Sequence, residues 1–110
     1  MATFNDDVKC PITATLGYIG GRWKTIILYF LTSGKKRFGQ IAVRLPTISK
    51  KVLTQQLKEL ERDGLIMRKE YKVKSPRVEY SLTELGESLS SVLEEMASWG
   101  KINVLAKHRF

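Results

Sequence analysis

Five polar side chains recur at helical spacing near the middle of the chain, and their chemistry suits a DNA duplex. They are Lys50, Lys51, Thr54, Gln55 and Lys58. A glutamine amide can bond bidentately to adenine, and a lysine can reach the O6 and N7 atoms of guanine. Ser49 is a good N-cap directly before them, and the remaining lysines and the helix N-terminus would serve phosphates. We interpret all six residues as candidate DNA contacts; the alternative is an ordinary solvated helix face.

The positive charge of the chain is concentrated around that helix. The formal net charge is +8. Residues 35 to 77 hold thirteen Lys or Arg side chains against four acidic ones, a net charge of +9, so the rest of the chain carries −1. A field concentrated in one segment attracts a polyanion and speeds encounter with it.

Four more basic residues of this segment are candidate contacts. We expect Lys72, Lys74 and Arg77 to reach phosphates or an adjacent minor groove, and Arg37 to reach a phosphate. The alternative for the first three is a charged hairpin tip that keeps the protein soluble. Outside the segment, Arg22 and Lys24 could equally be plain surface charge.

Cys10 is the only cysteine, so no internal disulfide framework and no multi-thiolate zinc site is possible. It precedes Pro11, which suits the first position of a helix, and Cys10 would then be the N-cap. The helix dipole lowers the pKa of a thiol placed there, and Lys9 adds to the effect. A partly exposed thiolate attacks oxidants and electrophiles, so Cys10 is a candidate redox sensor. The alternative is a small apolar residue that fills an interface.

The sequence offers no set of residues for catalysis. Gly20-Gly21 lacks the pattern of a phosphate-binding loop, and His108, the only histidine, has no carboxylate or cysteine cluster around it. We therefore expect no enzyme, no metal and no cofactor. The longest apolar run, Ile26 to Leu31, is far shorter than the ~20 residues of a membrane span, so we expect a cytoplasmic protein without a membrane partner.

Three helices must position the basic face. Their predicted inward faces are Trp23, Ile26, Ile27, Phe30 and Leu31; Phe38, Ile41, Ala42 and Leu45; and Val52, Leu53, Leu57 and Leu60. Pro46 breaks the second helix, and about three residues separate it from the helix that Ser49 begins. That spacing predicts a helix-turn-helix unit at about residues 37 to 63.

After Gly64 the hydrophobic period changes to two, which predicts a β-hairpin, or wing, at about residues 65 to 82. The predicted inward residues are Leu65, Met67, Tyr71 and Val73, then Val78, Tyr80 and Leu82. Thr83 can cap a last helix, predicted to run over residues 83 to 106. Along it a heptad seam appears, formed by Leu85, Leu89, Val92, Met96 and Trp99. Such a stripe must be covered, and packing against a second subunit is the natural solution.

Several stretches together resemble the HxlR-type family of bacterial winged helix-turn-helix transcriptional regulators. They are Cys10-Pro11, IGGRWKTIIL (19 to 28), KRFGQI (36 to 41), LPTISKKVLTQQLKELERDGLI (45 to 66) and PRVEYSLTELG (76 to 86). The matches occur in order and in spacing, from residue 10 to about residue 100.

The length fits one domain over residues 1 to 110, and the predicted elements make it mainly α with a small β-hairpin wing. The resemblance adds N- and C-terminal dimerisation helices at about 11 to 20 and 83 to 106. It also implies a homodimer on a pseudo-palindromic operator, with Ile12, Leu16 and Ile19 of the first helix joining the seam of the last. Some members resemble thiol-based sensors that use a cysteine placed as Cys10 is, so an oxidant or small-molecule effector is a further expectation. The alternative function is a winged-helix module that binds protein or RNA without an operator.

Overall fold

The computed structural model describes residues 10–106, so the predictions on Lys9 and His108 lie outside the described residues. Their fold is mainly helical with one small antiparallel sheet, which confirms the predicted fold class. The elements are α1 (Pro11–Ile19), α2 (Lys24–Leu31), β1 (Lys36–Arg37), α3 (Phe38–Arg44), α4 (Lys50–Arg62), β2 (Ile66–Tyr71), β3 (Arg77–Leu82), α5 (Glu84–Glu87) and α6 (Ser90–Gly100), then a π-helical turn (Lys101–Leu105). None of these helices is long and apolar enough to cross a membrane.

One apolar core joins α2, α3, α4 and the sheet. Its most deeply buried members are Ile27, Leu28, Ile41, Leu53, Leu57, Leu60, Leu65 and Ile66. Two residues predicted to face inward, Ile26 and Val52, are exposed instead. Each precedes a buried residue by one position, and one position turns a helix by about 100°, which carries the side chain off the narrow buried face.

The sheet has three strands in the order β1-β3-β2, whereas the sequence predicted a two-stranded hairpin. The additional strand, β1, lies between α2 and α3 and pairs Lys36 with Tyr80 and Arg37 with Glu79. Two residues are too few to show a period, and their extended conformation depends on the hydrogen bonds that β3 supplies. Through this pairing, β1 connects the start of α3 to the base of the wing.

The predicted alternation of the wing holds on β3 and is wrong on β2. Tyr80 and Leu82 are buried on β3, but Met67 is 52% exposed, and Ile66 takes the buried place beside Leu65. Val73 lies in the turn and is exposed too. Only the start of β2 reaches the core, because Ile66 is buried and the following residues are exposed or half-buried.

The prediction of one continuous last helix is wrong. The helix breaks at Ser88 and Leu89, which separate α5 from α6. Thr83 caps α5: its Oγ1 accepts a hydrogen bond from the Gly86 N–H at 3.1 Å and donates one to the Gly64 carbonyl at 2.6 Å. A heptad seam requires one uninterrupted helix, so the break divides the seam. Leu89 is partly buried and packs against the core. Leu93, which is not part of the predicted seam, is buried.

Candidate nucleic-acid interface

Local hydrogen bonds define the start of α3, the turn that follows it and the start of α4. The Arg37 N–H donates to Gln40 Oε1 at 2.8 Å at the start of α3. A tight turn follows, in which the Ile48 N–H donates to the Leu45 carbonyl at 3.1 Å. Ser49 then caps α4 as predicted, its hydroxyl accepting the Val52 N–H at 3.1 Å. The turn leaves the first residues of α4 exposed to solvent.

The structure brings the five polar residues of α4 together along one shallow groove. We call this surface the exposed face of α4: Lys50, Lys51, Thr54, Gln55 and Lys58. Within the described residues, none of its three lysines forms an ion pair, whereas other basic residues of the basic segment are paired with acids. The positive charge of this face is therefore not compensated within the described part of the chain.

Two side chains of the exposed face already make hydrogen bonds within α4. Thr54 Oγ1 donates to the Lys50 carbonyl at 2.9 Å, so its methyl group and oxygen lone pairs are left for a ligand. Gln55 Nε2 donates to Glu59 Oε2 at 3.3 Å, which leaves the Gln55 Oε1 and one N–H. Both residues keep groups that can recognise base edges.

Val52 is a candidate contact that sequence reasoning assigned to the core. Its side chain is 38% exposed and lies beside Lys51 at the border of the exposed face. An apolar side chain there can touch the methyl group of thymine. The signal in the sequence was its position one residue before Leu53, at the edge of the buried face.

The wing separates its basic residues into two environments. Lys72 and Lys74 are exposed in the turn. Arg77 is only part exposed: its Nε lies 3.0 Å from Glu79 Oε2 and its guanidinium lies 4.3 Å from the centre of the Tyr71 ring. That Arg77 hydrogen bond is the main cause that lowers the pKa of Glu79. Arg77 is therefore held by Glu79 and Tyr71, in contrast to the exposed lysines of the turn.

Arg37 lies at the junction between β1 and α3. Its side chain is exposed, and the strand register puts it opposite Glu79. Arg37 lies at the start of the helix-turn-helix unit, so its guanidinium is a candidate contact for a phosphate beside α3.

Lys24 and Glu59 form an ion pair that the sequence did not predict. Lys24 Nζ lies 2.7 Å from Glu59 Oε1, and the side chains are 13% and 24% exposed. The hydrogen bond from Lys24 is the largest cause that lowers the pKa of the Glu59 carboxyl, so the carboxylate form is favoured. The pair joins the start of α2 to the C-terminal third of α4.

Cys10 is the exposed N-cap of α1, with Pro11 in the first helical position. Its side chain makes no capping hydrogen bond of standard geometry, yet the backbone N–H of Thr13 is the main cause that lowers the thiol pKa. The Thr13 side chain and the Ile12 N–H act in the same direction. Within residues 10–106 no group of histidine, cysteine and acidic side chains could hold a metal ion.

Part of the predicted dimer surface is exposed and part is not. Ile12 and Leu16 of α1 line one apolar groove together with Val92 and Met96 of α6. Leu85 of α5 is exposed as well, and Trp99 is 64% exposed. Ile19, at 3% exposure, and the half-buried Leu89 pack in or against the core of the chain, so they offer little surface to a partner.

Comparisons with known proteins agree with this architecture. Residues 18–108 match the model of the HxlR-like helix-turn-helix family. The chain is 51% identical over 98 residues to YdeP, an HTH-type transcriptional regulator of Bacillus subtilis, covering 88% of this chain and 77% of YdeP. Among solved structures it resembles the redox regulator HypR in its oxidized form, with 46% identity, a TM-score of 0.82, and coverage of 86% and 97% of the two chains. It also resembles diamide-treated YodB from B. subtilis, with 36% identity, a TM-score of 0.70, and coverage of 86% and 94%.

Proposed function

The chain belongs to the HxlR-like helix-turn-helix family of DNA-binding transcriptional regulators, and we propose that it acts in the cytoplasm as a homodimer on a pseudo-palindromic operator. In this proposal α4 enters the major groove, its exposed face contacts base edges and phosphates, and the wing turn contacts the flanking backbone. Lys72 and Lys74 supply the wing contacts.

The observation that carries the proposal is the unpaired charge on the exposed face of α4. Lysines that lack an acidic partner in the described part of the subunit can neutralise phosphates without first breaking an ion pair. The same groove holds Thr54 and Gln55, whose remaining polar groups suit base edges. A protein-binding groove would favour apolar anchors on this face, and duplex RNA would hide its major groove from a helix.

Measuring the binding of a labelled duplex from the gene's own upstream region at several salt concentrations tests this proposal. We expect the affinity to fall steeply with salt, with a slope corresponding to several phosphate contacts per dimer, about −0.9 for each. A duplex of scrambled sequence is the control and should bind more weakly. No binding at low salt, or an affinity that does not change with salt, would overturn the proposal. Preferential binding to a protein or an RNA would favour the alternative, a winged-helix module without an operator.

The homodimer part of the proposal is supported by the groove between α1 and α6. Four exposed apolar side chains converge there, and the exposed Trp99 and Ile102 continue the same apolar surface toward the chain end. Burying such a surface against a second copy removes it from water and would set two α4 helices at a fixed separation. A fixed separation is what two half-sites of an operator require.

A second function, regulation by oxidants or electrophiles through Cys10, is favoured by a specific observation. The thiol is exposed and its pKa is lowered by the amides at the start of α1, so more of it is thiolate near neutral pH. The resemblance to a redox regulator and to a diamide-treated regulator supports the same proposal. Because the chain has one cysteine, an oxidised disulfide would join two subunits or one subunit and a small thiol.

A further inference from the structure

A chain of three side chains links α2 to the exposed face of α4. Lys24 Nζ lies 2.7 Å from one oxygen of Glu59, and the other oxygen accepts the Gln55 amide at 3.3 Å. Gln55 and Glu59 are four residues apart on α4, where side chains of one helix face meet. Lys24 comes from a different helix, so the arrangement exists only in the folded chain.

The carboxylate of Glu59 limits which way the Gln55 amide can turn. An ionised carboxylate only accepts hydrogen bonds, so the amide must present its Nε2 group to Glu59. The opposite orientation would bring the Gln55 Oε1 against a negative oxygen without a proton between them. One N–H and the Oε1 are then left for a ligand, and an adjacent donor and acceptor match the N7 and N6 atoms of adenine. Guanine presents two acceptors there and would meet the Oε1 with an acceptor of its own.

Lys24 makes this arrangement stable beside DNA. A carboxylate on a helix that faces phosphates is repelled by them, and an ammonium group at 2.7 Å offsets that repulsion. The lysine also occupies Oε1, which leaves Oε2 for the glutamine. Its backbone is held by α2, whose next turn contributes Ile27 and Leu28 to the core.

We propose that Glu59, held by Lys24, is a positioning residue that fixes the Gln55 amide for adenine and so determines one base of each half-site. The proposal rests on the proposed function, because it requires α4 to contact base edges. An ordinary interhelical ion pair is the competing explanation. Such a pair would affect stability, and hence binding to every sequence equally, without changing which base is preferred.

Selection of duplexes from a random pool, followed by affinity measurements on the four base variants at each position, separates the two explanations. The position that Gln55 contacts is the one where Gln55→Ala loses its preference. There we expect the wild type to favour adenine by about tenfold or more, the range of a good bidentate contact. We expect Glu59→Gln, whose amide can accept or donate, to reduce the preference to less than about threefold.

Glu61→Gln is the matched control. Glu61 lies on the same helix, is exposed and forms no ion pair with another described residue, so the variant changes the charge of α4 by the same amount. We expect it to strengthen binding to all four base variants alike and to keep the adenine preference. If Glu61→Gln weakens the preference as much as Glu59→Gln, charge alone is the cause and the proposal is overturned.

Two variants of Lys24 keep the test valid if Glu59→Gln folds poorly, which thermal unfolding would reveal. Lys24→Met should lose most of the adenine preference, and Lys24→Arg, which keeps a cation, should retain it. If both Lys24→Met and Glu59→Gln retain the adenine preference, the positioning role is overturned. It is also overturned if Gln55→Ala keeps the wild-type preference at every position. In both cases operator binding would stand. If the wild type selects no sequence at all, the proposed function itself fails.

Discussion

Replacing Lys58 with glutamine removes one positive charge from the exposed face of α4. Lys58 is exposed and forms no ion pair with another described residue, so its charge is available to a phosphate. Glutamine is a good helix former, and the exposed position contributes nothing to the core. The variant should therefore keep the fold while losing one electrostatic contact in each subunit.

The size of the effect follows from counterion release. Each phosphate contact contributes about −0.9 to the slope of log affinity against log salt. The proposed homodimer would lose two contacts, so the slope should become less steep by about 1.8. Over the fourfold range from about 50 to 200 mM salt, the difference in affinity between wild type and variant should shrink by about tenfold. The loss should be similar on specific and random duplexes, because phosphates carry no sequence information.

Fluorescence anisotropy with a labelled duplex over this salt range measures both slopes. Arg62→Gln is the matched control, because Arg62 lies in the last turn of α4 beside Asp63, with 3.9 Å between Nε and Oδ1. We expect the control to keep the wild-type slope. An unchanged slope for Lys58→Gln, or an equal change in both variants, would refute the assignment of Lys58 to a phosphate.

Three further predictions concern stability, assembly and the thiol. Gly86→Ala should lower the free energy of unfolding by about 1–3 kcal/mol in denaturant titrations, because the new Cβ would collide with the Leu65 carbonyl oxygen. Gly39→Ala is the control: the space around Gly39 on α3 is open, so this variant should be neutral or slightly stabilising. Met96→Glu should convert the dimer to a monomer in light scattering while Val43→Glu, exposed on α3, leaves it intact; a wild-type monomer at micromolar concentration would contradict the dimer. Diamide should change operator affinity in the wild type and not in Cys10→Ser. Alkylation of Cys10 should reach half its maximal rate at a lower pH in the folded protein than in a short unfolded peptide with the same cysteine, since thiolate forms as pH rises through a lowered pKa; an equal or higher midpoint would contradict the thiolate argument.

The helix-turn-helix unit was predictable because local spacing encodes it. Buried residues recur on α4 at Leu53, Leu57 and Leu60, and the opposite face is polar, so the sequence separates core from surface. Ser49 identifies the start of the helix because a capping hydroxyl acts within one turn. These features depend on near neighbours in the chain, and they suffice to locate the candidate DNA contacts.

The errors share a physical cause. β1 is extended because β3 supplies its hydrogen bonds, and Met67 lies on a face of the hairpin that the described residues leave open to solvent. The break before α6 depends on how α5 packs: Thr83 bonds to the turn after α4, and Gly86 fits closely against Leu65. A hydrophobic period cannot show where a helix must bend to meet a distant surface.

The sequence by itself therefore determined the fold class, the basic segment and the polar face of one helix, since periodicity, capping and charge are local properties. Only the tertiary structure decided which charges are available to a ligand. Arg77 is held by Glu79 and Tyr71, while Lys58 has no acidic partner among the described residues. Lys24 and Glu59 are thirty-five positions apart and meet only because α2 and α4 pack around a common core. Pairing between distant residues depends on that packing, which no local pattern specifies.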